Sequence, residues 1–161
     1  MKEVWNTLSF IYSDSSVPGE GEHKLINFIR QQRAQPDYNP NTVHCLFGPD
    51  ADLLFLMLAT HEPHFFNIRE SMQSDFANPS FTYVRMSIIR DYLREEFKRI
   101  PGLDLDRAID DFVLYGIFLG NDFLPNIPGL HIEEGAIDGL IEIYCRYFEK
   151  HKEYLTKGQE I

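Results

Sequence analysis

The stretch SDSSVPGEGEHK (residues 13–24) contains two glutamates, Glu20 and Glu22, that stand two positions apart, and a glycine precedes each of them. An apolar run with helical spacing follows, so the pattern predicts a helix from Glu22 to about Gln32. Glycine lets a ligand approach the backbone closely, and the helix dipole favours a carboxylate at a helix start. By itself the stretch is typical of a loop with an acidic helix cap. Two similar acidic clusters downstream favour a functional interpretation.

The second acidic cluster, Asp50 and Asp52, follows the short apolar segment VHCLF (residues 43–47) and a Gly-Pro turn. The segment predicts a buried strand, and the apolar residues after the aspartates predict a helix from about Leu53 to Ala59. In open α/β sheets, ligands bind beyond the carboxyl ends of the strands. We therefore expect the two aspartates at the edge of the sheet where such a site would lie.

The third acidic position is Asp122, which follows a predicted helix from Asp106 to Leu119. Mg²⁺ prefers carboxylate and water ligands, and two such ions about 3.5–4 Å apart can stabilise the attacking and leaving oxygens of a phosphodiester. If the three clusters converge, their carboxylates would repel one another strongly without a metal. The candidate metal ligands, which are also the candidate catalytic residues, are Glu20, Glu22, Asp50, Asp52 and Asp122.

Short apolar segments alternate with helical patterns along the rest of the chain. Further strands are predicted at residues 8–12, 64–68 and 81–86, and further helices at residues 88–99 and 132–148. This alternation predicts an α/β domain with a mainly parallel sheet flanked by helices.

The composition is that of a globular protein, with 43% hydrophobic residues among 161 and neither a membrane-spanning apolar run nor a signal-peptide pattern. The net charge of −10 argues against a simple nucleic-acid binder, whose surface should be basic, and fits carboxylates gathered around divalent cations. An acidic surface without a metal site is the alternative. The two cysteines, Cys45 and Cys145, lie in apolar patterns, so we expect them reduced, in or near the core of an intracellular protein.

Three smaller features receive structural interpretations. The HEPH stretch (residues 61–64) has its histidines three residues apart instead of four, so we interpret it as a loop that enters a strand. We expect His23 at a helix cap or on the surface. Asp110 and Asp111 lie near a predicted helix start, where we expect them to face solvent or the positive end of the helix dipole.

The motifs PGEGEH, GPDADL and GNDFLP occur in this order and resemble the Xrn/Rat family of 5′-to-3′ exoribonucleases, and the resemblance covers nearly the whole chain. It implies a Rossmann-like core related to the PIN and flap-nuclease folds. It also implies Mg²⁺-dependent hydrolysis of single-stranded RNA that has a 5′-monophosphate end, which releases nucleoside 5′-monophosphates in RNA turnover. Two ions are implied, with Mn²⁺ as the alternative to Mg²⁺. The family's metal ligands fall on Glu20 and Glu22 of GEGE, Asp50 and Asp52 of DAD, and Asp122 of GND.

The resemblance further implies that residues 1–161 are a partial catalytic domain. The family has a longer part before this region, which supplies two more metal-binding aspartates and the basic residues that recognise the 5′-phosphate, and it continues past residues 154–161. Two alternatives stay open: a catalytically inactive fragment of the same core, and a structure-specific nuclease, because GNDFLPNIPGL also resembles flap endonucleases. The stretch ATHEPHF is closer to the nuclear branch of the family, so of nucleus and cytoplasm we expect the nucleus.

Overall fold

A three-stranded sheet with helices packed against it organises the protein. The structure is a computed structural model that describes residues 6–71, 78–121 and 124–157. The elements in these ranges are α1 (Gly21–Arg33), β1 (His44–Phe47), α2 (Asp52–Leu58), β2 (Phe65–Glu70), β3 (Phe81–Arg85), α3 (Met86–Phe97), α4 (Leu105–Phe118), a 3-10 helix (Ile132–Glu134) and α5 (Ala136–His151). None of the helices in the described part of the chain is both long and apolar enough to cross a bilayer.

The sheet has the strand order β1-β2-β3. β1 and β2 run parallel, with Leu46 opposite Asn67, and α2 forms the crossover between them. β2 and β3 run antiparallel, with Ile68 opposite Tyr83. Residues 71–80 alone separate these two strands, a stretch shorter than the crossover that parallel neighbours need. The prediction of an α/β fold is confirmed, whereas the sheet is mixed instead of mainly parallel.

Helices cover one face of this sheet. α2 and α3 contact β2, α1 contacts α2, and α4 contacts both α2 and α3. The covered face carries Leu46, Phe65 and Asn67, which are all buried. Because the side chains of a strand alternate between faces, the residues between them point the other way.

The opposite face, which we call the open sheet face, carries the exposed side chains of Val43, Cys45, Phe47, Phe81 and Tyr83. The β2 residues on this face, Phe66 and Ile68, are half-buried. Tyr83 has 66% of its surface accessible to solvent. The expectation that Cys45 lies in or near the core is therefore wrong, because strand alternation turns its side chain to this face.

The segment predicted as the first strand, residues 8–12, has no regular secondary structure and lies outside the three-stranded sheet. Phe10, Ile11 and Tyr12 are 72%, 74% and 86% exposed. The prediction of a buried strand is wrong here because a strand needs a partner for its backbone hydrogen bonds, which an apolar sequence does not supply by itself.

A side-chain cap and two glycines set the bounds of the C-terminal helices. The carboxylate of Asp104 accepts a hydrogen bond of 2.9 Å from the Asp106 N–H, which caps the start of α4. Beyond the end of α4, Gly120 has a φ of +85°, and a Cβ there would lie 2.7 Å from the Asn126 nitrogen, so the position requires glycine. Gly135, with a φ of +78°, separates the 3-10 helix from α5 and divides the single helix predicted over residues 132–148.

Asp111 lies in the interior, although the sequence favoured an exposed or dipole-stabilised position. Its side chain is fully buried at 0% exposure. Its carboxylate accepts hydrogen bonds from the Leu155 N–H at 3.0 Å, the Thr156 N–H at 2.8 Å and the Thr156 hydroxyl at 2.7 Å. Asp111 therefore anchors the segment after α5 to the middle of α4.

We predict that Asp111→Ala lowers the free energy of unfolding by about 1–3 kcal/mol, because two part-buried N–H groups lose a charged acceptor. Chemical denaturation measures the change. Glu149→Ala, which removes an exposed carboxylate from α5, is the matched control and should change stability by less than about 0.5 kcal/mol. An equal loss in both variants would contradict the anchoring role of Asp111.

Candidate metal centre

The GEGEH stretch forms a compact group of potential metal ligands at the start of α1. Glu20 is the N-cap residue, and Glu22 and His23 occupy the first turn. One ligand atom from each of the three lies within 4.8 Å of the others. His23 Nε2 lies 3.8 Å from Glu20 Oε2, so His23 is at the helix start as expected. Gly19 precedes the group with a φ of +104°, a conformation that glycine adopts without strain.

Asp50 and Asp52 approach this group from the β1–α2 turn. Asp52 is the first residue of α2, and α2 contacts α1 along its length. Partial burial raises the pKa of Glu22, and the negative charges of Glu20, Asp50 and Asp52 raise it further, whereas His23 acts in the opposite direction. The structure therefore brings the second acidic cluster close enough to the first to act on it electrostatically.

The fifth candidate, Asp122, lies outside the described residues. Its surroundings are described on both sides: the Asn121 side chain accepts a hydrogen bond of 2.8 Å from the Leu124 N–H, and Gly120 turns the chain out of α4. The role of Asp122 as a metal ligand stays a prediction.

Asn67 supports the turn that carries the two aspartates, and the sequence analysis did not identify it. Its buried side-chain amide donates hydrogen bonds to the carbonyl oxygens of Leu46 at 3.3 Å and Gly48 at 3.1 Å. Arg69 donates to the Asn67 side-chain oxygen and to the Asp50 carbonyl oxygen, both at 3.3 Å. The available signal was a lone amide inside the apolar segment HFFNI, where a buried polar group needs partners.

The HEPH stretch is separate from Glu20, Glu22, His23, Asp50 and Asp52, which we call the acidic group. It leads into β2 as predicted, but its side chains form an interior polar network that the sequence did not reveal. His61 Nε2 lies 2.8 Å from an Asp110 carboxylate oxygen, and His61 Nδ1 lies 3.6 Å from that of Asp106. Asp106 also pairs with Arg90, and the hydrogen bond from this guanidinium lowers the pKa of Asp106. Asp110 is therefore paired instead of facing solvent.

The donor set of the acidic group fits a hard divalent cation. Carboxylate oxygens suit Mg²⁺ and Mn²⁺, and a cation between Glu22 and its neighbours would offset the repulsion that raises the Glu22 pKa. The N-terminus of α1 carries partial positive charge, which favours the carboxylates of Glu20 and Glu22 there.

Comparison with known proteins shows which family this chain resembles. Residues 1–71 match the family model described as "XRN 5′-3′ exonuclease N-terminus", and residues 102–161 match the one described as "Xrn1 helical domain". The chain is 44% identical over 181 residues to the 5′-3′ exoribonuclease 2 of Saccharomyces cerevisiae, an alignment that covers 94% of the chain and 18% of the relative.

Two other relatives extend the comparison beyond this yeast. The chain is 41% identical to the 5′-3′ exoribonuclease 1 of Schizosaccharomyces pombe, over 95% of the chain and 13% of the relative. It is 40% identical to the 5′-3′ exoribonuclease 2 of Gallus gallus, over 96% of the chain and 20% of the relative. The chain therefore spans about a fifth or less of the length of these three relatives.

We predict that Glu22→Gln raises the melting temperature at pH 7 in the presence of a chelator. The folded-state pKa of Glu22 is raised above its usual 4.5, so its charged form weakens the fold and this cost grows as the pH rises through that range. Below pH 4.5 the wild-type carboxyl is protonated and the two proteins should melt alike. Thermal denaturation at both pH values, with Glu149→Gln as an exposed control, measures the difference.

Addition of Mg²⁺ at pH 7 should then stabilise the wild type and leave Glu22→Gln largely unchanged, since a cation that binds only the folded state stabilises it. A variant that melts below the wild type in chelator would contradict repulsion as the source of the shift.

Proposed function

Because the chain belongs to the Xrn family of 5′-to-3′ exoribonucleases, we propose that it forms part of a catalytic core that hydrolyses RNA from its 5′ end. The observation that supports this most directly is the cluster of Glu20, Glu22 and His23 at the start of α1, whose ligand atoms lie within 4.8 Å of one another, with the charges of Asp50 and Asp52 also acting on Glu22. Carboxylates from separate segments gather there at a cost to the fold, which is typical of a site that binds cations.

The proposed ligands are Glu20, Glu22, Asp50, Asp52 and Asp122, which would hold two Mg²⁺ ions, with Mn²⁺ as the alternative. When bound, such ions activate water and stabilise the oxygens of an in-line displacement at phosphorus. Asn67 would orient this site, because its hydrogen bond to the Gly48 carbonyl oxygen holds the turn that carries the aspartates.

The substrate and products follow from the family. We propose single-stranded RNA with a 5′-monophosphate as the substrate and nucleoside 5′-monophosphates as the products, released one at a time during RNA turnover. The names of the relatives support exoribonuclease activity over flap-endonuclease activity. These names do not state a cellular compartment. The assignment to the nucleus over the cytoplasm stays a prediction from the sequence.

We also propose that further polypeptide completes this core and covers the open sheet face. Parallel strands normally have both faces covered, and the open sheet face is apolar. This surface supports the alternative that the chain by itself is inactive and acts as one part of a larger domain.

Replacing Asp52 should abolish the proposed activity without loss of the fold. We predict that alanine at the position of the S. cerevisiae relative that aligns with Asp52 lowers the rate of nucleotide release from 5′-phosphorylated RNA by about 10²-fold or more. The control is alanine at the position that aligns with Asp14. Asp14 is a carboxylate outside the acidic group that accepts hydrogen bonds from the Ser16 N–H and hydroxyl. Mg²⁺-dependent release that persists in the Asp52 variant would refute the role, and oligonucleotide products cut at a branch would favour a flap endonuclease.

The proposal that further polypeptide covers the open sheet face predicts that substitutions on the two faces change the free energy of unfolding by different amounts. Tyr83→Ser, on the open sheet face, should change the free energy of unfolding by about 0.5 kcal/mol or less and reduce binding of a hydrophobic dye. Leu46→Ala, on the covered face, should cost about 2–5 kcal/mol. Denaturation and dye fluorescence measure both effects. A cost at Tyr83 as large as that at Leu46 would show that the open face is already packed.

A further inference from the structure

A groove lies at the far end of α1 from the acidic group. It has a volume of about 340 Å³ and runs between the second half of α1 and the loop of residues 34–43. Three flat rings line it, those of Phe28, Tyr38 and His44. The side-chain amides of Gln32, Gln35 and Asn39 also line it, and the lining contains one carboxylate, Asp37, and neither lysine nor arginine.

A buried carboxylate holds two of these rings in place. Glu62, which is 4% exposed, accepts a hydrogen bond of 2.8 Å from the Tyr38 hydroxyl. His44 Nε2 lies 3.0 Å from the same hydroxyl oxygen and 3.6 Å from the Glu62 carboxylate. Arg33 Nη1 lies 3.7 Å from the other carboxylate oxygen. Burial, and next the hydrogen bond to Glu62, raise the pKa of Tyr38, so its hydroxyl stays a donor.

This support makes the groove rigid before any ligand arrives. The His44 ring also packs against Phe65, with ring centroids 5.3 Å apart, at the start of β2. The Tyr38 and His44 rings are therefore fixed to the sheet. Two of the amides are also held, because Gln35 Nε2 donates to the Gln31 carbonyl oxygen at 3.3 Å and Asn39 Oδ1 accepts from the Asn41 N–H at 3.0 Å. A prearranged site spends less of its binding free energy on ordering side chains.

The chemistry of the lining fits a nucleobase better than a phosphate. Aromatic rings stack on the faces of unpaired bases, and amides both donate and accept at the base edges. A phosphate would require cations, which the lining does not contain. The volume lies in the usual range of small-ligand sites, about 300–1,000 Å³.

The groove and the acidic group share α1. Glu22 and Gln32 are ten residues apart, which is about 15 Å along a helix. Leu25, Phe28 and Gln32 follow one another at helical spacing on one flank of α1, and Leu25 and Phe28 are exposed apolar side chains. An extended strand with one end at the acidic group can therefore lie along this flank and reach the groove.

We propose that the groove binds a base of the same RNA strand whose 5′ end occupies the acidic group. This inference rests on the proposed function. The base stacks on the rings of Phe28 and Tyr38, and the amides of Gln32 and Asn39 contact its edge. Every base has a stacking face and the amides can donate or accept, so the groove takes any of the four bases, as a nuclease that degrades RNA of any sequence needs.

Nuclear magnetic resonance of the full chain in chelator tests the proposal without catalysis. The probe is a six-nucleotide 5′-phosphorylated oligoadenylate, and its comparison is the abasic ribose-phosphate oligomer of the same length. We expect the side-chain amides of Gln32, Gln35 and Asn39 to shift with the oligoadenylate and not with the abasic oligomer. Phe28→Ala should weaken binding by about 5- to 140-fold, the usual range for one stacked base. Phe81→Ala, which removes a comparably exposed ring from the open sheet face, should leave it unchanged.

Each other outcome has a defined meaning. Equal shifts with the abasic oligomer, or with a polar peptide of the same length, would overturn the proposal, and so would unchanged affinity in Phe28→Ala with its fold intact by circular dichroism. If the groove amides do not shift with the oligoadenylate while cleavage still depends on Asp52, base binding in the groove is refuted and the proposed function stands. If the oligoadenylate binds at the groove but cleavage does not require Asp52, the proposed function of the acidic group is refuted and base binding stands.

Discussion

The parallel pairing of β1 with β2 is the constraint on which the rest of the structure depends. Parallel neighbours require a crossover, and here the crossover is α2, which must start at the carboxyl end of β1. This places Asp50 and Asp52 at that edge of the sheet, whatever else they do. Because α1 packs against α2, the start of α1 comes to the same edge and brings Glu22 with it. The acidic group is a consequence of this packing.

The two ends of α1 have opposite electrostatic characters. At its start, partial burial raises the pKa of Glu22, and the neighbouring carboxylates raise it further. At its end, Arg33 approaches the buried carboxylate of Glu62, so that negative charge has a partner. Unpaired like charges cost stability, whereas a buried carboxylate with hydrogen bonds and a cation nearby does not. The contrast marks the start of α1 as the end that gains from a bound cation.

Among the described residues, helices cover only one face of the sheet. Helices bury Leu46 and Phe65 on the covered face, while Phe47 and Tyr83 on the other face remain in solvent. This is the surface that the proposed further polypeptide would cover. The exposed apolar residues before the acidic loop, such as Tyr12, are of the same kind.

The sequence by itself determined the α/β class, the helices and the acidic motifs with their order, because local periodicity and helix signals are carried by neighbouring residues. Only the tertiary structure decided the rest. Residues 8–12 look like a buried strand by composition but lie outside the sheet, Asp111 looks exposed but is buried under Leu155 and Thr156, and Asn67 looks incidental but holds the turn of the aspartates. In each case the outcome depends on a partner distant in the chain, and the free energy of burial or hydrogen bonding exists only once that partner is in place.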